Sequence, residues 1–104
     1  KVAAMAEANH VKVIPHNPLS PVSTATCVQL DACIPNFALQ EYTGEDQPPK
    51  SELFVESLEM IDGYLKVPEG PGLGIEINEE ALSMPENPKV LDTPIGFDGS
   101  VQDR

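Results

Sequence analysis

Residues 11–41 read VKVIPHNPLSPVSTATCVQLDACIPNFALQE, and this stretch decides the fold. Residues 11–15 are a short run rich in β-branched side chains, which predicts a strand. Residues 37–40 (FALQ) form a second short apolar run and predict a second strand. A helix is expected between the two, so the order is strand, helix, strand.

The intervening helix has clear start and stop signals. Ser20 offers a hydroxyl that can cap the first helical amides, and Pro21 suits the first helical position. Residues 22–34 are mostly small or apolar, and Pro35 cannot continue a helix. The sequence therefore predicts a helix that begins at Pro21 and ends near residue 34.

The strand-helix-strand order predicts that the chain is part of a larger α/β structure. A strand-helix-strand crossover of this length implies parallel pairing. Residues 1–9 (KVAAMAEAN) have the pattern of a helix that precedes the first strand. Because parallel strands need helices on both faces, two strands cannot form a stable sheet alone. We therefore expect the chain to be a piece of a larger sheet or barrel.

The composition changes after residue 42, and residues 43–104 predict an irregular, β-rich segment. Asp62-Gly63 favours a tight hairpin turn between two short strands. Residues 70–74 (GPGLG) predict another turn, and Asn78 has the form of a cap on a short helix that ends near Ser83. A second Asp-Gly pair at residues 98–99 predicts a final turn. We divide the chain into residues 1–42, the end of an α/β unit, and residues 43–104, an appended segment.

Composition excludes several classes of function. The chain has 104 residues, a net charge of −11 and only five aromatic side chains, so we expect no sizeable independent core. Nucleic acid and anionic membranes attract clustered Lys and Arg, so neither is an expected partner. No apolar run approaches the roughly 20 residues of a membrane span. Cys27 and Cys33 lie six residues apart on the predicted helix, a rise of about 9 Å that is too long for a disulfide. We expect buried thiols and a cytoplasmic location.

His16 and Glu41 are the candidate catalytic residues. Each directly follows one of the two predicted strands, and in a parallel α/β barrel the active site forms at the carboxyl ends of the strands. Neighbouring strands lie about 5 Å apart, so both side chains can reach one site. A histidine beside a carboxylate suits proton abstraction near neutral pH. The alternative is a structural histidine and a solvated glutamate.

Five other side chains are weaker candidates for a functional role. Asn17 and Tyr42 flank the candidate pair, and we expect them to line a substrate pocket only weakly, since neighbours of a site are usually scaffolding. His10 follows a helix and is expected to be structural. Glu45 and Asp46 lie in a polar loop and match no metal-ligand position.

The same residues carry a family resemblance. VIPHNPLSPVSTA (residues 13–25), Leu30-Asp31 and PNFALQE (residues 35–41) resemble the seventh and eighth strands of the mandelate racemase group of the enolase superfamily. Within it the sequence is most similar to galactonate dehydratase-like sugar-acid dehydratases. PGLGIEI (residues 71–77) and DGSV (residues 98–101) resemble the segment that returns to the capping domain.

The resemblance implies a fold and a reaction. The fold is the C-terminal part of a (β/α)7β-type, TIM-like barrel: its last two strands, the helix between them and a β-rich segment returning to a capping domain. The reaction is magnesium-dependent dehydration of an acid sugar, with proton abstraction α to the carboxylate and loss of the β-hydroxyl. His16 matches the general base, and Glu41 matches the glutamate that hydrogen-bonds the substrate carboxylate as an enediolate forms.

The chain departs from the full family pattern by omission. The three metal-binding carboxylates of the family belong to earlier strands, so we expect a Mg²⁺ cofactor but no metal ligand in this chain. We expect its partners to be the acid-sugar substrate, the remainder of the barrel, the capping domain and further copies in a homo-oligomer. The isolated fragment is expected to be inactive. A racemase or cycloisomerase of the same superfamily, or a non-catalytic structural fragment, remains open.

Overall fold

The computed structural model describes residues 1–83 and 94–101. Its regular elements are short, and in chain order they are α1 (Val2–Glu7), α2 (Pro21–Asp31), a 3₁₀ helix over Lys50–Leu53, β1 (Met60–Ile61), β2 (Tyr64–Leu65) and a 3₁₀ helix over Ala81–Ser83. Most of the described chain therefore lies in turns and irregular segments, and hydrogen bonds outside the elements decide how they are arranged.

Helix α1 ends in a paired turn that involves His10. The N–H of His10 donates to the Glu7 carbonyl at 2.9 Å, and the N–H of Val11 donates to the Ala6 carbonyl at 2.9 Å. This is the Schellman pattern, which requires a left-handed residue after the helix, and His10 has φ 56°. The histidine lies at a helix end, as predicted, and its side chain is exposed.

Helix α2 begins where the sequence predicts and ends earlier. Ser20 is extended, with φ −154° and ψ 163°, and its Oγ accepts the Ser23 N–H at 3.3 Å. The last helical residue is Asp31 rather than residue 34. Proline disfavours helical geometry in the residue before it, so Pro35 acts on Ile34 and the helix ends before that position.

The two predicted parallel strands meet at one residue pair. Val13 and Phe37 form a parallel bridge, in which Val13 N–H donates to the Asn36 carbonyl at 2.9 Å and Ala38 N–H donates to the Val13 carbonyl at 3.0 Å. The parallel direction is confirmed, but the prediction of two full strands over residues 11–15 and 37–40 is wrong in extent. Pro15 lacks the N–H that would continue the ladder.

The predicted hairpin is confirmed. Strands β1 and β2 pair antiparallel, with Met60 opposite Leu65 and Ile61 opposite Tyr64. The two turn residues have positive φ, 51° at Asp62 and 82° at Gly63. Asp-Gly tolerates this geometry, which matches the twist of the flanking strands, so local sequence is sufficient to specify the turn.

The chain then returns through residues 70–78. Ile77 bridges Phe54 in the antiparallel sense, and Asn78 N–H donates to the Leu53 carbonyl at 2.9 Å. Asn78 Oδ1 accepts the Glu80 N–H at 3.2 Å, which is the predicted cap on the short helix that follows. Ile95 bridges Val101 around Asp98-Gly99, so the final predicted turn is also confirmed.

The core of the described residues is small, as the composition indicates. Its buried apolar side chains are Ala25, Val28, Phe54 and Ala81. Ile14 and Leu39, on the two bridging segments, remain more than half exposed. These features fit a fragment of a barrel and not an independent domain. Both cysteines are free; Cys27 is half-buried and Cys33 is exposed, so the expectation that both are buried is wrong for Cys33.

Candidate active site

His16 and Glu41 lie in contact. His16 Nδ1 is 2.8 Å from Glu41 Oε2, although the two residues are 25 positions apart in sequence. The parallel bridge between Val13 and Phe37 brings the two segments side by side, and each candidate residue lies a few positions beyond it. The His16 side chain is 81% exposed and that of Glu41 is 36% exposed. The imidazole is therefore open to an incoming molecule, while the carboxylate is partly shielded behind it.

Asn17 supplies a second hydrogen-bond donor to Glu41. Its backbone N–H donates to Glu41 Oε2, the oxygen that faces His16. Its side chain is turned inward, with Nδ2 donating to Thr24 Oγ1 at 2.6 Å. Asn17 and Thr24 are both 0% exposed. The loop after the first bridging segment is thus anchored to the first turn of α2.

These contacts determine the charge of Glu41. The hydrogen bond from Asn17 is the largest influence on the Glu41 carboxyl and lowers its pKa; desolvation opposes it, and the neighbouring His16 lowers the pKa further. A carboxylate that accepts backbone hydrogen bonds is stabilised in its ionised form. Glu41 is therefore a negatively charged acceptor at neutral pH, which suits it to hold one tautomer of His16.

The two weaker candidates occupy different positions. Asn17 adjoins the pair, but its side chain is buried against α2 and only its backbone faces Glu41. Tyr42 is directed towards the appended segment: its hydroxyl donates to the Leu58 carbonyl at 3.1 Å and accepts the Asp46 N–H at 3.0 Å. Burial raises the pKa of the Tyr42 phenol. Neither position shows whether the side chain contacts a substrate, so the substrate-binding roles of Asn17 and Tyr42 remain predictions.

Glu45 differs from its predicted environment. The polar composition of residues 43–50 predicts a solvated loop, yet Glu45 is 1% exposed. Its Oε1 accepts the Thr43 hydroxyl at 3.3 Å, and its Oε2 is buried without a hydrogen-bond partner. Both carboxyl oxygens of Asp31 are likewise buried without a partner, and desolvation raises the pKa of Asp31 to about 6. No sequence signal marks either burial, because both depend on how the appended segment folds back.

A cleft of about 390 Å³ is not lined by the candidate pair. It runs between the end of α2, residues 37–40 with Tyr42, and the β1–β2 hairpin, and its lining includes Val28, Phe37 and Tyr64 but neither His16 nor Glu41. The candidate site therefore consists of the paired side chains and does not include this cleft.

A metal site would need several His, Cys, Asp or Glu side chains close together. Across residues 1–83 and 94–101, no group of three or more His, Cys, Asp or Glu side chains is placed to hold a metal ion. The described residues therefore do not form a metal site by themselves.

Among the same residues, no helix is long and apolar enough to cross a membrane.

Comparison with known proteins supplies the wider context. A family model described as "Enolase C-terminal domain-like" matches residues 1–81. The D-galactonate dehydratase of Pectobacterium atrosepticum is 43% identical over 88 residues, which is 79% of this chain and 23% of that protein. A D-galactonate dehydratase family member from Streptomyces bingchenggensis is 38% identical over 106 residues, covering 99% of this chain and 26% of that protein.

Solved structures agree in fold. A crystal structure from Burkholderia SAR-1, provisionally assigned as a mandelate racemase/muconate lactonizing enzyme, superposes with a TM-score of 0.77 at 30% identity. The match covers 85% of this chain and 22% of that one. The chain thus spans about a quarter of the length of the curated relatives and solved structures that it matches.

Proposed function

The chain belongs to the enolase C-terminal domain-like family, and on that premise we propose that the complete protein is a lyase that dehydrates a galactonate-like acid sugar. In this proposal the chain supplies the C-terminal section of the barrel. The observation that carries it is the His16–Glu41 pair, formed by two neighbouring parallel segments with the imidazole exposed. The names of the curated relatives support dehydration as the reaction.

His16 is proposed as the group that takes the proton. Glu41 Oε2 faces Nδ1, so the hydrogen bond to the carboxylate favours the tautomer with its proton on Nδ1. Nε2 then carries the lone pair and is the atom that can abstract the proton α to the substrate carboxylate. Orientation of a basic imidazole by a carboxylate on its other nitrogen is a recurring arrangement in proton transfer.

Glu41 is proposed to have two roles in sequence. In the free protein it is ionised and orients His16. A substrate carboxylate arriving nearby would bring a like charge, which raises the pKa of a carboxyl group and favours its protonated form. A protonated Glu41 could donate to the enediolate that forms when the α-proton leaves. The β-hydroxyl then leaves as water with the proton that His16 took from the α-carbon, which gives an enol. The enol tautomerises to a 2-keto-3-deoxy acid by releasing its hydroxyl proton and gaining a proton at the β-carbon.

The proposal includes a magnesium ion, which the family resemblance implies. It would stabilise the enediolate as a Lewis acid when bound. Its ligands would come from outside the described residues, because those residues contain no suitable cluster of donors. The roles assigned to His16 and Glu41 above are limited to holding and moving protons.

The same proposal covers the partners of the chain. We propose that the rest of the barrel and a capping domain complete the site, that the complete protein forms a homo-oligomer, and that it acts in the cytoplasm. The exposed apolar side chains of Ile14 and Leu39 support a covering partner on the faces of the bridging segments. No role with nucleic acid or membrane is proposed, in keeping with the net charge of −11.

A racemase is the second candidate, because the superposed structure from Burkholderia SAR-1 carries that assignment. Racemisation needs the same proton abstraction but returns a proton to the same carbon, so the β-hydroxyl is retained. The chemistry of His16 and Glu41 is common to both reactions. Only the fate of the substrate separates them.

One experiment distinguishes these functions. The complete protein is incubated with galactonate or gluconate and Mg²⁺ in deuterium oxide, and the products are followed by NMR and by a keto-acid assay. Formation of a 2-keto-3-deoxy acid supports dehydration. Deuterium at the α-carbon without a keto acid indicates a racemase. Neither change with either acid, in folded protein loaded with magnesium, would contradict the proposal for galactonate-like substrates.

A further inference from the structure

We propose that Thr24 is a positioning residue, which acts through Asn17 to hold Glu41 against His16. Its consequence for catalysis rests on the proposed function, whereas its effect on Glu41 does not. Thr24 belongs to α2, and in the described residues it makes no hydrogen bond to His16 or Glu41.

The connection is a continuous line of hydrogen bonds. Thr24 Oγ1 accepts Asn17 Nδ2 at 2.6 Å, and the backbone N–H of Asn17 donates to Glu41 Oε2. That oxygen is the one 2.8 Å from His16 Nδ1. Because the side chain of Asn17 is attached to its own backbone through only two rotatable bonds, anchoring the buried amide restricts how far the Asn17 N–H can move from Glu41. Thr24 therefore controls a donor to the carboxylate without touching it.

Thr24 is itself held in place. Its backbone N–H donates to the Ser20 carbonyl at 3.0 Å, and its hydroxyl lies 3.4 Å from the same carbonyl. A hydroxyl that donates there presents its lone pairs to Asn17, which needs an acceptor. Ser20 caps the start of α2, so Thr24 Oγ1 is fixed to the first turn of that helix.

Burial makes this contact selective. Asn17 and Thr24 are both 0% exposed, so water cannot replace the hydroxyl as a partner for Asn17 Nδ2. A buried amide that loses its partner is strongly disfavoured, and the loop can regain a hydrogen bond only by moving. Such a movement would withdraw the Asn17 N–H from Glu41.

Helix α2 offers a matched control. Thr26 is exposed, and its Oγ1 donates to the Val22 carbonyl at 2.9 Å. Thr24→Val and Thr26→Val therefore remove the same hydroxyl from the same helix, but only the first removes the acceptor of Asn17. Thr24→Ser keeps the acceptor and loses a methyl group.

The test uses the complete protein, labelled with ¹³C at glutamate side-chain carboxyls and titrated without substrate. Glu41→Gln assigns the Glu41 signal. The Asn17 hydrogen bond is the main cause of the lowered Glu41 pKa, so Thr24→Val should move the Glu41 midpoint to higher pH. Thr24→Ser and Thr26→Val should leave it in place. With substrate, Thr24→Val should lower kcat at least about tenfold with little change in KM, since misplacement affects chemistry more than binding.

The outcomes separate the two proposals. An unchanged Glu41 midpoint in folded Thr24→Val, or an equal shift in Thr26→Val, would overturn the role of Thr24. Because that titration needs no substrate, an unmodified protein inactive on acid sugars would overturn only the proposed function. If Thr24→Val does not fold, Thr24→Ala takes its place. If neither folds, amide exchange in the unmodified protein decides: rapid exchange of the Asn17 backbone N–H would contradict the proposal.

Discussion

Residues 1–42 and the appended segment after them hold their shape in different ways. In the first region, the buried side chains of Asn17 and Thr24 are hydrogen-bonded to each other, and the backbone N–H of Asn17 donates to the Glu41 carboxylate. In the appended segment, turns dominate. The side chain of Gln29 ties it to α2: Gln29 Nε2 donates to the Pro68 carbonyl at 2.8 Å and lies 3.3 Å from the Leu73 carbonyl.

The difference teaches where precision is required. A proton-transferring pair must be held within a fraction of an ångström, which buried hydrogen-bonded side chains can achieve. The appended segment needs only the correct course of its backbone, and turns with defined backbone geometry can specify that course. Substitutions in the hydrogen-bonded set around Glu41 should therefore affect chemistry most, and those in the appended segment should affect stability.

The largest expected effect is that of His16→Asn in the complete protein. Asparagine cannot exchange the proton, so turnover should fall by about 10²–10⁴-fold while the fold is retained. The matched control is His10→Asn, because His10 is exposed with φ 56° and asparagine tolerates that geometry. Steady-state kinetics and circular dichroism provide the measurements. Near-normal dehydration by His16→Asn would reassign this histidine to a structural role.

Glu41→Gln should have the next largest effect, lowering turnover by roughly 10²-fold, because the neutral amide no longer orients the imidazole as a carboxylate does. Kinetics of this variant are compared with those of Glu56→Gln, a change at an exposed glutamate.

The same variant has a pH signature in stability. Because the folded-state pKa of Glu41 is lowered, its contribution is present above the ordinary glutamate pKa and is lost as the pH falls through the lowered value. Glu41→Gln should remove that part of the acid dependence of the melting temperature. An identical acid profile in variant and parent would show that the contact with Asn17 does not persist in solution.

Gly74→Ala tests the appended segment and should cost about 2–4 kcal/mol of stability. Gly74 has φ 73°, and a Cβ there would lie 2.5 Å from Pro68 Cβ and 3.0 Å from its carbonyl carbon. Gly72 has φ 66° with open space around its Cβ position, so Gly72→Ala should cost only about 1 kcal/mol. Chemical denaturation measures both. Equal losses would mean that backbone strain, and not the contact with Pro68, decides the path.

Asp31→Asn should have the smallest effect and the opposite sign. Desolvation raises the Asp31 pKa to about 6 from 3.8, so the ionised form destabilises the fold above pH 6. The amide should stabilise the protein at pH 7 by roughly 1 kcal/mol, after discounting the linkage value for partial exposure. The gain should vanish below the ordinary aspartate pKa. Denaturation at pH 7 and pH 3.5 checks this, with Asp62→Asn at an exposed turn as control. A gain that is equal at both pH values would exclude desolvation as its cause.

Local chemistry determined several features that could be predicted from sequence. Ser20-Pro21 starts α2, and Asp62-Gly63 forms the hairpin turn, because both depend on side chains and backbone conformations within a few residues. The nearness of His16 and Glu41 was also predicted, since a short crossover implies parallel segments whose ends lie together, whereas their direct contact was not.

Other features depended on tertiary structure. The burial of Glu45, the ending of parallel pairing after one bridge and the Thr24–Asn17 hydrogen bond all require knowing which distant segment covers which side chain. The ionised state of Glu41 belongs to the same group, because a neighbouring backbone N–H and a histidine lower its pKa. Sequence determined which groups could do chemistry here, whereas packing decided their charge and their partners, because desolvation and hydrogen bonding act through space and not along the chain.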